Sequence, residues 1–331
     1  MKKHAIVSAS LMALLLSAQA PFPGIAQSAP VETVKKTTLA ELDQKALEAA
    51  RKEMQKLAEG APIELDQIIG ENSECWVISA KNGRGEVLVQ KQGGAVVSVH
   101  VKFGFKEVST ALQNAVNNTL KSLDAKLANP IDRIERIKSS KENVWHFRGE
   151  RAEVVIEAAS GQVDYASIHY RQEQIAPKIV TTAKQSLIQL SGSQTTALEP
   201  SATLLKHPQR NLDRVWSFQD KTGKFSVMIG ANTGTLVGVA NYSVVENKNY
   251  VAQEDIPKVF AKPMYTKEKA IAVINPVMKK IFHLDLTGYV VASKYDTYTF
   301  TKKGKPTVIA SVNNAGVFYS VSVVPENGMS K

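Results

Sequence analysis

Cysteine is almost absent from this chain of 331 residues, and its single thiol, Cys75, cannot form an internal disulfide. Small exported domains are usually cross-linked by disulfides, so the stability of this chain must come from hydrophobic cores, for which its length is sufficient. Cys75 directly precedes Trp76 in a predicted strand. This position favours a buried, unreactive thiol over a nucleophile.

Long apolar runs are absent after the amino terminus, where no stretch reaches the roughly 18 residues of a membrane helix. Met1–Ala26 itself is typical of a secretory signal, because two lysines precede a short apolar stretch, Ala5–Leu16. Cleavage is expected after Gly24-x-Ala26, and an uncleaved anchor is the alternative. We therefore predict an extracellular protein, secreted or associated with a Gram-positive cell wall, that has no integral membrane span after signal removal.

The motifs of several enzyme classes are also missing. The sequence has no His-Glu-x-x-His helix, no Gly-x-Ser-x-Gly elbow, no Gly-x-x-x-x-Gly-Lys loop and no EF-hand loop. Its later histidines lack the close spacing of a metal site: His100, His146, His169, His207 and His283. His146 is predicted to lie on the surface because it alternates with Trp145 and Phe147, and the pair Glu150/Glu153 flanks a turn and indicates no site. We predict no catalytic, cofactor-binding or metal-binding residue and a protein that is not an enzyme, with an enzyme of unrecognised type as an alternative.

Charge is unevenly distributed. The chain carries 41 basic and 31 acidic residues, and the stretch from Lys262 to Lys331 has ten lysines against four acidic residues. Such an excess favours anionic wall polymers or acidic proteins as partners, although an ordinary solvated surface explains it equally well. Export argues against nucleic acid. The possible contacts for an anionic polymer are Lys279, Lys280, Lys302, Lys303 and Lys305.

What the chain does contain is a fourfold repeat. Large apolar residues two positions apart recur at Trp76 and Ile78, Trp145 and Phe147, Trp216 and Phe218, and Tyr298 and Phe300. A turn glycine follows each first member by 16 or 18 residues, at Gly94, Gly161, Gly234 and Gly316. Residues i and i+2 share one face of a strand, and hairpin turns need positive φ. These positions are therefore predicted to be structural, each pair covering the underside of a helix.

Helical periodicity precedes each set of strands, which predicts an α+β fold of tandem modules, each one helix packed on a three- or four-stranded antiparallel sheet. The stretch Ser191–Pro208 is interpreted as a surface insertion, and Pro276 is expected to kink or divide the helix Lys267–Phe282. The predicted domains are a signal peptide at 1–26, a disordered arm at 27–37, units at 38–104, 105–172, 173–245 and 265–325, and a linker at 246–264.

The third and fourth repeats carry a resemblance to a known family. The strand–turn–strand stretches Phe225–Val239 and Thr307–Gly316, with Asn/Gly turns, resemble the PepSY superfamily, including the tandem-repeat exported proteins of spore-forming Gram-positive bacteria of the YcdB/YcdC and YpeB type. The first two repeats lack the Asn/Asp-x-x-Thr-Gly turn. The resemblance implies units related to the regulatory propeptides of secreted metalloproteases, roles in restraining peptidases, and no catalytic residues.

These observations leave three functional hypotheses. The first is an exported, non-enzymatic module that binds a wall-associated or secreted protein, such as a peptidase, by strand addition to a sheet edge. Its contacts are expected at sheet edges and at the links Ser191–Pro208 and Glu246–Pro263. The second is a basic, wall-associated adhesin, and the third is an enzyme of unrecognised type.

Overall fold

The computed structural model describes residues 38–127, 131–208, 212–245, 251 and 255–326. The predicted signal at 1–26, the arm at 27–37 and much of the predicted linker lie outside the described residues. Among the described residues, two compact units are found: an amino-terminal unit of residues 38–168 and 206–208, and a carboxy-terminal unit of residues 169–205 and 212–326, with the gaps given above.

The described strands belong to one antiparallel sheet with the order β1 to β12, then β16, β15, β14 and β13. In the amino-terminal half they are β1 Leu65–Glu71, β2 Cys75–Ala80, β3 Gly85–Gln90, β4 Val96–Phe103, β5 Arg133–Ser139, β6 Asn143–Arg148, β7 Ala152–Glu157 and β8 Val163–Arg171. The rest are β9 Ser201–His207, β10 Leu212–Gln219, β11 Phe225–Gly230, β12 Leu236–Asn241, β13 Val290–Lys294, β14 Thr297–Thr301, β15 Thr307–Val312 and β16 Phe318–Val324.

The predicted fold class is therefore wrong. It placed each helix on a small sheet of its own, whereas the sixteen strands pair in one continuous order. Pairing continues from one set of strands to the next: β4 pairs with β5 along Ser98–Phe103, and β12 pairs with β16. The repeated pairs of large apolar residues do lie in strands β2, β6, β10 and β14, but the repeat contains no signal for the edges at which consecutive sets of strands join.

The described helices are α1 Gln44–Leu57, α2 Thr110–Leu123, α3 Pro177–Ser191, α4 Ile256–Val259 and α5 Lys267–Phe282. Their starts follow local chemistry: Asp43 and Thr266 accept hydrogen bonds from the first helical amides of α1 and α5, and Pro177 opens α3. Thr38 and Glu41 form a capping box, which begins a separate short 3₁₀ turn, Leu39–Glu41, before α1.

Two local expectations are corrected. The stretch Ser191–Pro208 is not a surface insertion throughout, because its second half is strand β9, in which Ala202 and Leu204 are buried. Helix α5 runs from Lys267 to Phe282 without interruption, so Pro276 does not divide it. Both Pro276 and Ala272, whose carbonyl loses its usual donor, lie on the exposed side of α5, so solvent can replace the missing hydrogen bond.

A bulge recurs where each turn glycine leads into the last strand of its set. The register shifts between Leu88 and Val89, Val155 and Ile156, Met228 and Ile229, and Ser311 and Val312. A bulge leaves one residue without a direct partner and redirects its side chain. In β16 that residue is Tyr319, which lies between the paired Phe318 and Ser320.

The carboxy-terminal unit has its core between one sheet face and helices α3 and α5. Buried residues of both helices, among them Leu187 and Ile274, join Phe218, Val239 and Val321 of the strands in one cluster. In the amino-terminal unit α1 packs on β3 and β4, and α2 packs on β7. Side chains that alternate with these core residues point to the opposite sheet face, which carries the polar cluster described below.

Candidate functional site

The repeated aromatic and glycine positions form cores and turns. Ile78, Phe147, Phe218 and Phe300 are all completely buried, and Trp145 and Tyr298 nearly so, whereas Trp76 and Trp216 are half-buried. The glycines Gly94, Gly161, Gly234 and Gly316 all have φ between 66° and 81°. Cys75 is half-buried rather than buried. The Tyr298 hydroxyl is engaged with the backbone of Tyr265, so these positions serve the core and the turns.

The five lysines proposed for an anionic polymer are all exposed, and two of them, Lys279 and Lys302, contact the short segment Asp285–Thr287. Lys279 Nζ lies 2.9 Å from Asp285 Oδ2, and Lys302 Nζ donates to the carbonyl of Thr287 at 3.0 Å. Lys279, together with hydrogen bonds from Thr287 and Asn275, holds the pKa of Asp285 below its usual range. Asp285 therefore offsets part of this positive charge.

The two ends of the sheet are β1 and β13. Strand β1 pairs with β2 through two register shifts, between Leu65 and Gln67 and between Ile68 and Gly70. Strand β13 pairs with β14 in unbroken register from Val290 to Lys294. Bulges protect a sheet edge against further pairing, so β13 is the more accessible edge.

The links proposed as contact surfaces are less suitable. The backbone of the first link is tied to its surroundings, with the Gln172 amide donating to the Pro200 carbonyl at 2.9 Å and Leu198 bridging to Asp220. Much of Glu246–Pro263 lies outside the described residues; within it, Phe260 is buried in the core. Of the proposed contact surfaces, the edge strand has the clearest geometry.

The sequence analysis missed a polar cluster on β6, β7 and β8. His146 is only 8% exposed, so its prediction as a surface residue is wrong. Its Nε2 lies 2.6 Å from Glu153 Oε1, and Glu153 also accepts hydrogen bonds from Arg148 Nε at 2.9 Å and Tyr165 OH at 2.6 Å. Arg148 in turn lies 4.0 Å from Glu135 Oε2.

Electrostatics explain why Glu153 is charged in this cluster. Burial alone would raise its pKa, but His146, Tyr165 and Arg148 outweigh the burial and lower the pKa to about 2. Burial and the charge of Glu153 raise the pKa of Tyr165. The carboxylate is thus committed to three neighbours, and the cluster is suited to holding β6, β7 and β8 together rather than to proton transfer.

Among the residues that the structure describes, no group of three or more His, Cys, Asp or Glu side chains is arranged to hold a metal ion. No described helix is both long and apolar enough to cross a membrane. In comparisons with known proteins, no protein-family model and no curated protein matches this chain.

Proposed function

We propose that this protein is an exported, non-enzymatic binding module that takes up an extended segment of a partner protein along strand β13. The proposal rests on one observation: β13 is the last strand of the sheet and pairs with β14 in unbroken register. A strand at a sheet edge presents backbone donors and acceptors on its outer side, and an extended peptide pairs with them.

The side chains of β13 favour such pairing. Val290 is 67% exposed, the highest value among the exposed large apolar residues of the described chain. Ala292 and Ser293 are also exposed, small and uncharged, so they neither repel nor obstruct an added strand. The opposite edge, β1, carries the exposed acidic residues Asp66 and Glu71 in addition to its bulges.

Charge around β13 indicates the kind of segment that fits. Lys294 ends the strand and is exposed. Near its start, Lys302 lies over the ring of Tyr289, with Nζ 5.9 Å from the ring centroid. Lysines at both ends of an uncharged strand match a segment with an apolar centre and acidic flanks. A secreted or wall-associated peptidase is the partner class that the resemblance to PepSY proteins implies.

The experiment is a screen of displayed linear decapeptides against the chain lacking residues 1–26, followed by affinity measurement with labelled peptides. The double variant V290K/A292K places charges along β13, and Q67K/I69K does the same on β1 as the matched control. We expect the selected peptides to be acidic at their ends, and to lose binding to V290K/A292K only. Equal binding to both variants, or no selected peptide at all, contradicts the proposal.

A second candidate, an adhesin for anionic wall polymers, is favoured by the lysines brought together around the Leu284–Gly288 loop. It predicts binding of a soluble polyphosphate chain that weakens steeply with added salt, because screening acts on exposed charges. The variant K302E/K303E/K305E should abolish this binding, whereas V290K/A292K should not weaken it. Salt-independent binding of polyphosphate would exclude this mechanism.

A further inference from the structure

The turn between β2 and β3 has the sequence Lys81-Asn82-Gly83-Arg84. The chain contains two Asn-Gly pairs, and the second, Asn327-Gly328, lies outside the described residues. Asn82 has φ 57° and ψ 23°, and Gly83 has φ 64°. Asn and Gly are the residues that tolerate this left-handed backbone best. The turn thus explains why both residues are present, and it leaves both of them exposed to water.

The side chain of Asn82 is not held in place. Within the described ranges it takes part in no hydrogen bond. By contrast, the Asn72 side-chain oxygen accepts from the amides of Glu74 and Cys75 at 2.8 and 2.7 Å. Asn313 is 3% exposed and forms hydrogen bonds through both its side-chain nitrogen and its side-chain oxygen. Asn82 can therefore change its rotamer easily, whereas Asn72 and Asn313 cannot.

The backbone of this turn is weakly held at its centre. The Arg84 amide donates to the Lys81 carbonyl at 3.2 Å, which is the long end of the usual range. No atom beyond the chain neighbours lies within 4 Å of the position that a Cβ on Gly83 would take. Local opening of an exposed turn on which nothing packs requires far less free energy than global unfolding. We therefore expect the turn to open while the sheet stays intact.

We propose that the bond between Asn82 and Gly83 is a site of spontaneous deamidation in the folded protein. The Gly83 backbone nitrogen loses its proton and attacks Cγ of Asn82. The new C–N bond forms as the bond from Cγ to Nδ2 breaks, and ammonia leaves with that proton. The product is a five-membered succinimide.

Water, the only co-reactant, then opens the succinimide in one of two ways. Breaking the bond from the Gly83 nitrogen to Cγ restores the normal backbone and leaves aspartate at position 82. Breaking the bond from the same nitrogen to the main-chain carbonyl carbon leaves isoaspartate. Either product replaces the neutral amide with a carboxylate, and isoaspartate also lengthens the backbone of the turn by one methylene group.

The observed turn conformation sets the pace of this reaction. At ψ 23° the Gly83 nitrogen points away from the Asn82 side chain, so ring closure takes place only while the turn is open. Conversion is therefore slower than in an unfolded peptide of the same sequence. The new carboxylate arises between Lys81 and Arg84, next to their ion pairs with Glu64 and Glu107. This modification is independent of peptide binding along β13.

The test is incubation of the folded chain lacking residues 1–26 at neutral and at mildly alkaline pH. Digestion with a glutamate-specific protease yields the peptide 75–86, in which chromatography and mass spectrometry separate asparagine, aspartate and isoaspartate. Hydroxylamine, which cleaves succinimides, is added to a parallel sample to detect the intermediate as a break between residues 82 and 83. Variant N82D marks the aspartate product, and N82Q is the matched control because glutamine cannot form the five-membered ring. Asn72 and Asn313 serve as internal controls in peptides from a second protease.

We expect aspartate and isoaspartate to accumulate at position 82 about tenfold or more faster than at Asn72 or Asn313, because only the exposed turn opens readily. The rate should rise with pH, since the attacking nitrogen must lose its proton, and N82Q should stay unchanged and uncleaved at this position. Conversion of Asn82 no faster than that of Asn72 overturns the proposal. So does conversion without isoaspartate, or conversion that takes place only in urea.

Discussion

His146 Nε2 lies 2.6 Å from Glu153 Oε1, while its Nδ1 lies 3.1 Å from the Arg148 guanidinium. Because a guanidinium can only donate, Nδ1 accepts from Arg148, and Nε2 is the ring nitrogen in close contact with the Glu153 carboxylate. Three strands, β6, β7 and β8, are thereby joined through their side chains. The arrangement depends on the charge of Glu153, which gives it a defined pH range.

We predict that Glu153 contributes stability that is lost in acid. Its pKa falls from an ordinary 4.5 to about 2 on folding, so the contribution is complete above about pH 4.5 and declines as the pH falls towards 2. The variant E153Q should lower the free energy of unfolding at pH 7 by about 1–3 kcal/mol and flatten its dependence on pH in acid. Urea unfolding at pH 7, 4 and 3 measures both effects.

The control for this prediction is E142Q, which alters an exposed carboxylate close to β6. It should leave stability nearly unchanged at every pH. An E153Q variant with the wild-type acid profile would show that the cluster does not couple folding to the charge of Glu153.

Asp296 should behave in the opposite way. Burial raises its pKa, so its contribution to stability is present below the unfolded pKa and is lost as the pH rises through the folded pKa. D296N should therefore be more stable than the wild type at pH 7 and differ little at pH 3. Thermal unfolding at the two pH values tests this, and a destabilised but folded D296N at pH 7 would contradict it.

The aromatic repeat predicts a graded loss of stability. Phe218 is completely buried and Trp216 is half-buried, so F218A should lower the free energy of unfolding by about 3–5 kcal/mol and W216A by less. V290A, at an exposed position, is the control and should change it little. Denaturant unfolding measures the free energy of unfolding of each variant. A larger decrease for W216A than for F218A would contradict our assignment of Phe218 as the core residue of the pair.

The fold could be predicted from the sequence where the information is local. The alternation Val97, Val99 and Val101 indicates a strand, and helix α5 has the predicted bounds Lys267–Phe282. The single sheet could not be predicted, because the pairing of β4 with β5 depends on residues far apart in the chain. The cluster of His146, Arg148, Glu153 and Tyr165 was missed for a different reason. Its residues are close in the chain, but which side chains meet depends on the exact register of β6 with β7.

Gly94 and Gly161 occupy the same position of the repeat but differ in what surrounds them. Both have positive φ, at 66° and 70°, so alanine is strained at either position. A Cβ on Gly94 would also lie 2.9 Å from the Cα of Ala46 in α1, whereas a Cβ on Gly161 would meet nothing within 4 Å. G161A should therefore cost about 1 kcal/mol and G94A distinctly more, since the backbone of α1 must move. Thermal unfolding of the two variants decides the point: equal losses would mean that the turn conformation alone, and not the packing of α1 on it, requires glycine in this repeat.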